Sequence, residues 1–305
     1  MLQRKDLIDL NGLSEQEITA ILDRAEEMKQ RLRRGEKNGT ELKGKSVITL
    51  FYENSTRTRV SFELATAYLG GTPVHISASS SSVQKGETLI DTGKTLDAMH
   101  VDAIVMRHPM SGAPVLLAKT VSAHVINGGD GMNAHPTQAL LDMLSMREKF
   151  GRIRGLKVAI LGDIKHSRVA KSNLFGLTTM GAEVYMYAPK TLIPKDMDKL
   201  GAHIASSREE AVEGADVVMG LRIQLERQQG GLFPSLGEYS KFYGVNENLL
   251  RLAKPDAIVE HPGPVNRGVE LTDGLIDGKS SVIEDQVTSG VAVRMALLDM
   301  LCNAR

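Results

Sequence analysis

Residues 14–34 carry apolar side chains at Ile18, Ile21, Leu22, Ala25 and Met28, the spacing of one helix face. Ser14, with Glu17 three residues on, predicts a capping box at the start of that helix. Beyond it the pattern changes. Short apolar runs at 47–51, 74–77, 103–106 and 125–127 alternate with stretches of helical length. After Gly151-Arg152-Ile153-Arg154-Gly155 a second set begins, with runs at 157–161, 183–187, 202–205, 216–220 and 257–260. Strand–helix alternation of this kind predicts an α/β fold. We expect two doubly wound parallel-sheet domains with the active site in the cleft between them. A long helix from about His135 to Phe150 marks the boundary. Residues 1–138 form one domain and 139–286 the other. A terminal helix over 287–305, with Val287, Val291, Met295, Leu298 and Leu301 at helical spacing, is expected to pack back on the first.

In open parallel sheets ligands bind at the carboxyl ends of strands. The polar, Gly- and Pro-rich segments 53–59, 107–109, 128–138, 162–168, 222–227 and 261–267 all follow strands. Charge narrows what they hold. Lys+Arg and Asp+Glu are 37 each, so there is no net field to hold nucleic acid or an anionic membrane surface. An anion must be gripped by local geometry. The start of the chain has no signal-peptide pattern and no window approaches a membrane span. The single cysteine, Cys302, excludes an internal disulfide and a cysteine-based zinc site. A cytoplasmic, metal-free, cofactor-free protein is expected.

Ser55-Thr56-Arg57-Thr58-Arg59 follows the 47–51 run and precedes a helix marked by Val60, Leu64, Ala67 and Tyr68 and ended by Gly70-Gly71. Hydroxyls, unpaired first-turn amides and the positive helix end make a phosphate site there. Alone, Ser-Thr-Arg also reads as a cap with solvated arginines; the full run after a buried strand favours the anion. Neither a Walker-type nor a dinucleotide-type glycine motif is present, since 161–166 holds a single glycine. A small phosphorylated substrate is left. Ser79 to Thr88 reads as a mobile polar loop carrying Lys85. His135 and Gln138 lie one turn apart on one helix face, and His135 also reads as a cap. Arg107 closes its strand and suits an oxyanion. Arg168 and Arg222 follow strands of the second half, and two such arginines suit a dicarboxylate, though each singly reads as a surface ion pair. His261-Pro262-Gly263-Pro264 fixes a non-helical turn whose carbonyls are open to a substrate amide.

Together these segments resemble the catalytic chains of the aspartate carbamoyltransferase family, over nearly the whole chain and in the family's motif order. Ser55-Thr56-Arg57-Thr58-Arg59 and His135-Pro136-Thr137-Gln138 mark carbamoyltransferases in general. Lys85-Gly86-Glu87-Thr88 and His166-Ser167-Arg168-Val169-Ala170 point to the aspartate branch, with Arg222-Ile223-Gln224 and His261-Pro262-Gly263-Pro264 in support. The resemblance implies transfer of a carbamoyl group from carbamoyl phosphate to L-aspartate, an early step of pyrimidine synthesis. Residues 1–138 with the terminal helix would bind carbamoyl phosphate, and 139–286 aspartate. It further implies that Ser55, Thr56, Arg57 and Thr58 hold the phosphate and that Thr58, Arg107 and His135 polarise the carbamoyl oxygen. Gln138 with the backbone of Gly263 and Pro264 would hold the carbamoyl NH₂. Arg168 would bind the α-carboxylate of aspartate, and Arg222 with Gln224 the β-carboxylate. Ser81 and Lys85 would come from a neighbouring copy in a homotrimer, to which a regulatory or dihydroorotase chain can be attached. Two other readings stay open: an ornithine-type carbamoyltransferase, and a non-catalytic scaffold of the same fold.

Overall fold

The computed structural model describes residues 2, 4–77, 86–223 and 235–303. Its first helix, α1 (Glu15–Arg33), starts on the expected reciprocal cap: Glu17 N donates to Ser14 Oγ at 3.2 Å and Ser14 N to Glu17 Oε2 at 2.9 Å. The chain then forms β1 (Ser46–Phe51), α2 (Thr56–Tyr68), β2 (Thr72–Ser77), α3 (Leu89–Ala98), β3 (Ala103–His108), α4 (Ala113–Ala118) and β4 (His124–Asp130). These strands make one sheet in the order β2-β1-β3-β4, parallel throughout. The apolar runs of β1, β3 and β4 are buried, whereas the edge strand β2 is largely exposed. Strands β3 and β4 run past their apolar runs to His108 and Asp130, so Arg107 lies within β3, one residue before its end.

Helix α2 buries a mixed face. Thr58, Ser61, Phe62, Ala65 and Thr66 face inward, while Val60 and Leu64 are exposed. Phe62 and small or hydroxylated residues make up the inward face, and the branched Val60 and Leu64 are left outside.

Two long helices, α5 (Pro136–Phe150) and α11 (Ile283–Cys302), carry the chain between two compact units. Unit 1 is Met1–Leu141 with Val287–Arg305, and unit 2 is Asp142–Gln286. In unit 1, α11 is buried at every position from 292 to 298, including Arg294, and at Leu301. Val287, expected on its apolar face, is exposed, and the buried positions at this end of the helix are Gln286, Ser289 and Gly290. Lys29 Nζ donates to Ser289 Oγ at 2.8 Å, and Arg24 pairs with Asp299 at 2.7 Å. Both tie α11 to α1.

Unit 2 holds β5 (Lys157–Leu161), α6 (Arg168–Thr179), β6 (Glu183–Tyr187), β7 (Ala202–Ile204), α7 (Arg208–Val212), β8 (Val217–Gly220), α8 (Leu236–Tyr243), α9 (Glu247–Leu250), β9 (Ile258–Glu260) and α10 (Asp273–Ile276). The sheet order is β7-β6-β5-β8-β9, again all parallel. Ala159, Leu161, Val218 and Val259 pack with Val212, Leu249 and Leu271 in one apolar cluster. No helix of the described residues is long and apolar enough to cross a membrane.

Glu260 ends β9 fully buried, and neither carboxyl oxygen has a hydrogen-bond partner among the described residues. Burial first, and then the charges of Asp142 and Asp285, push its pKa well above 4.5. The folded chain therefore keeps a proton that the unfolded chain releases above about pH 4.5. Stability is full below that pH and falls as the pH rises toward the folded-state pKa. Glu260→Met removes the titration and the unpartnered carboxyl. We expect it to be more stable than wild type at pH 8 by about 1–3 kcal/mol, with the gap narrowing toward pH 4.5. Thermal unfolding across that range measures it, and a pH-independent gap removes Glu260 as the titrating group.

Candidate active site

Ser55 holds the N-cap position of α2 in extended backbone, yet its side chain makes no capping bond. By contrast α1, α3, α6, α7, α8 and α9 each accept a first-turn amide on an N-cap side chain. The first helical bond of α2 runs from Arg59 N to Ser55 O at 3.2 Å. The amides of Thr56, Arg57 and Thr58 precede it, and no acidic residue stands in this first turn. The positive helix end thus presents three donors with hydroxyls and a guanidinium around them. Thr56 and Arg57 are exposed, Ser55 is half-buried and Thr58 is buried.

The parallel sheet brings two further segments to the same edge. Phe51 of β1 is in register with Arg107 of β3, and Tyr52 N donates to Arg107 O at 2.8 Å. The Arg107 guanidinium donates through Nη1 to Gly128 O at 3.2 Å, and its Nε lies 3.3 Å from Glu53 Oε2. One arginine therefore joins the ends of β1, β3 and β4. Its neighbour His108 accepts from Met110 N on Nδ1 at 3.0 Å, and burial lowers its pKa, so it favours the neutral ring.

Beyond β4 the chain turns around Asp130, which is fully buried. Its carboxylate accepts from Gly112 N at 2.7 Å, Asn127 Nδ2 at 2.8 Å, Ala134 N at 3.0 Å and Asn133 Nδ2 at 3.1 Å. This hub sets the loop that delivers His135 to the start of α5. His135 O accepts from Gln138 N at 3.0 Å and Ala139 N at 3.3 Å. The His135 and Gln138 side chains are both buried, at 5% and 9% exposure.

Unit 2 repeats the strand–turn–helix logic. After β5, Gly162 has φ +132°, and a Cβ there would meet Leu221 O at 2.8 Å, so only glycine fits. Asp163 pairs with His166 Nδ1 at 2.8 Å, and Ser167 Oγ caps α6 by accepting from Ala170 N at 3.2 Å. Arg168 is the first helical residue and only 4% exposed. After β8, Arg222 is half-buried. The adjacent Ile223 N donates to Glu270 Oε1 at 2.9 Å. Glu270 also accepts from Asn266 N at 2.8 Å and Asn266 Nδ2 at 2.6 Å. This buried acid ties the Arg222 segment to the 261–267 loop; burial raises its pKa and these donors oppose the shift. Within the loop Gly263 has φ +59°, Gly263–Pro264 is cis, and Gly263 N donates to His261 Nδ1 at 2.8 Å.

Ser81, Lys85 and Gln224 lie outside the described residues. Four residues whose bonds tie these segments together escaped the reading of the sequence: Glu53, Asp130, Glu270 and Arg294, which donates to Ser61 and Thr137. Glu270 and Asp130 give no pattern, since an acid in a loop looks solvated until its donors converge on it. Arg294 had a signal: one charge inside the apolar run Val291-Ala292-Val293-Arg294-Met295-Ala296. Among the described residues no group of three or more His, Cys, Asp or Glu side chains is placed to hold a metal ion. Burial pushes the Cys302 thiol up to about 11, which leaves it a poor nucleophile at neutral pH.

Residues 5–148 match the aspartate/ornithine carbamoyltransferase carbamoyl-P binding domain, and residues 154–301 the Asp/Orn binding domain of the same family. The chain belongs to the aspartate/ornithine carbamoyltransferase family. It is 63% identical over 300 residues to a protein of Ruminiclostridium cellulolyticum named aspartate carbamoyltransferase catalytic subunit, covering 98% of this chain and 96% of that one. A protein of the same name from Acetivibrio thermocellus is 60% identical over 301 residues, covering 99% and 96%. Among solved structures, aspartate transcarbamoylase of Trypanosoma cruzi in complex with carbamoyl phosphate and aspartate aligns with a TM-score of 0.88 at 32% identity, covering 96% of this chain and 95% of that one. Ornithine carbamoyltransferase from Pyrococcus furiosus aligns with a TM-score of 0.89 at 33% identity, covering 98% and 97%. The family fold is thus shared by both branches, and the second substrate is set by side chains rather than by architecture.

The Asp130 hub carries a prediction. Asp130→Ala leaves Gly112 N and Ala134 N without their acceptor and should lower unfolding stability by about 2–4 kcal/mol. Asp130→Asn, which keeps one acceptor oxygen, should fall between. Denaturant unfolding measures both, and a wild-type midpoint for the alanine variant would remove Asp130 as the organiser of this loop.

Proposed function

We propose that this chain is an aspartate carbamoyltransferase, transferring the carbamoyl group of carbamoyl phosphate to the amine of L-aspartate to give N-carbamoyl-L-aspartate and phosphate. The observation that carries the reading is the uncapped start of α2 at the sheet edge where Arg107 joins the ends of β1, β3 and β4. Whole-chain identity to proteins named aspartate carbamoyltransferase catalytic subunit supports aspartate as the second substrate.

In this reading Ser55, Thr56, Arg57 and Thr58 hold the phosphate with the first-turn amides of α2. Thr58, Arg107 and His135 donate to the carbamoyl oxygen, which becomes anionic when the amine adds. Each such donor contributes about 2.7–4 kcal/mol. Gln138 and the backbone of Gly263 and Pro264 orient the carbamoyl NH₂. Arg168 binds the α-carboxylate of aspartate, and Arg222 with Gln224 the β-carboxylate, each guanidinium as a two-pronged donor. The neutral amine attacks, a C–N bond forms, and the C–O bond to phosphate breaks. The departing phosphate takes the proton released by the amine, so no separate base is required. Holding both substrates in attacking geometry supplies much of the remaining acceleration.

Ser81 and Lys85 complete the site of a neighbouring copy within a homotrimer. The reaction places the chain early in pyrimidine synthesis, in the cytoplasm.

Carbamoyl transfer assayed with aspartate and with ornithine tests the reading; turnover of ornithine but not aspartate overturns it. Arg57→Ala should stay folded and lose turnover by at least about 100-fold. Arg168→Ala should raise the KM for aspartate by about 10–100-fold with the KM for carbamoyl phosphate within about twofold. Mixing inactive Arg57→Ala and Lys85→Ala chains should restore part of the activity, because some sites then draw both intact residues. No recovery after verified subunit exchange excludes the shared site.

A further inference from the structure

Arg294 is the one strongly basic side chain in the buried run of α11, and it is 4% exposed. Its Nη1 donates to Ser61 Oγ at 2.7 Å. Ser61 Oγ in turn lies 2.7 Å from Arg57 O and 3.0 Å from Thr58 O, the carbonyls of the first turn of α2. Its Nη2 donates to Thr137 Oγ1 at 3.3 Å, and Thr137 stands between His135 and Gln138 at the start of α5. The guanidinium carbon lies 5.1 Å from the centre of the Phe62 ring, also on α2. One planar fork therefore reaches the opening turns of both helices, and a third contact holds its face. Gly290, one turn earlier on α11, leaves the space it occupies: a Cβ at 290 would lie 2.7 Å from Arg294 Nη1 and 3.2 Å from Leu141 Cδ2.

We propose that Arg294 is a positioning residue for phosphate binding, setting the start of α2 against the start of α5. This rests on the proposed function, which places Arg57 and Thr58 on the first helix and His135 and Gln138 on the second. A guanidinium can bridge two acceptors in fixed directions, which an ammonium on a flexible stem cannot. The helix starts act on one ligand only while their spacing is held, and small misplacement of ligand-orienting groups costs orders of magnitude. The terminal helix thereby acts on phosphate affinity without touching phosphate.

The readout is the dissociation constant for inorganic phosphate, measured by calorimetry on the full chain, with KM values for carbamoyl phosphate and aspartate beside it. Wild-type phosphate binding and turnover test the proposed function; the ratio of variant to wild type tests the role of Arg294. Arg294→Gln should weaken phosphate binding and raise the carbamoyl phosphate KM by about tenfold or more. The aspartate KM should stay within about twofold, with Arg294→Lys intermediate. Thr137→Val and Ser61→Ala, which remove one acceptor each and bury no new charge, should show smaller losses in the same constant. They carry the test if Arg294→Gln does not fold. Gly290→Ala separates position from stability. Alanine is the better helix former, so a merely structural role predicts no loss of phosphate affinity, whereas displacing the guanidinium predicts one. Wild-type phosphate affinity in folded Arg294→Gln, or in both hydroxyl variants together with Gly290→Ala, overturns the proposal.

Discussion

Parallel strands cannot be joined by a hairpin, so each must be followed by a crossover that returns the chain to the opposite end. Both sheets here are parallel throughout. Within each sheet, whatever follows a strand therefore emerges at one edge, and the segments after β1, β3 and β4 meet there without any motif requiring it. The register of Phe51 with Arg107, and the reach of Arg107 to Gly128 O, are consequences of that pairing. The same constraint in unit 2 puts the turns after β5, β8 and β9 at one edge, where Glu270 ties two of them together.

The second theme is how charge is kept local in a chain with no net charge. A neutral protein draws in no anion from a distance, so attraction must come from helix ends and individual guanidinium groups acting over a few ångströms. Leaving the Ser55 cap unused is consistent with this, since a capping hydroxyl would occupy a donor that an anion can take. Buried ionisable groups are the cost of such arrangements, and the chain treats them differently. Asp130 and Glu270 are surrounded by donors, and Arg294 by two hydroxyls and a ring. Glu260 has no donor among the described residues, and its pKa is raised instead.

Much of the fold was legible because the parallel core strands are continuous apolar runs, which stand out between polar turns. All nine strands of the described residues coincide with an apolar run, and α1 begins on its predicted box. Helix α2 packs inward through Phe62 and Ala65 together with Thr58, Ser61 and Thr66; the Ser61 and Thr66 hydroxyls donate to carbonyls of their own helix and Ser61 also accepts from Arg294, so hydropathy alone does not mark this face. Strand ends were legible only to about the last apolar residue, since Arg107, His108 and Asp130 continue the ladder as polar residues. The carboxylates that shape the site were not legible at all. Their meaning depends on which amides converge on them, and that is a property of tertiary structure.

The choice of second substrate illustrates where side chains decide what the fold leaves open. Solved aspartate and ornithine enzymes align with this chain equally well. For the proposed reaction, unit 2 offers the α6 helix start with Arg168 and the post-β8 segment with Arg222, both cationic. Aspartate brings a carboxylate to each. Ornithine would bring an ammonium to a segment that already carries a guanidinium, and it would need an acid to receive it. Among the described residues the acid bonded to this segment is Glu270, and Ile223 N, Asn266 N and Asn266 Nδ2 already engage its carboxylate. Those bonds commit Glu270 to holding the loop. With Glu270 so engaged, the cationic Arg168 and Arg222 are the charges this unit offers the proposed substrate among the described residues, and they match its two carboxylates.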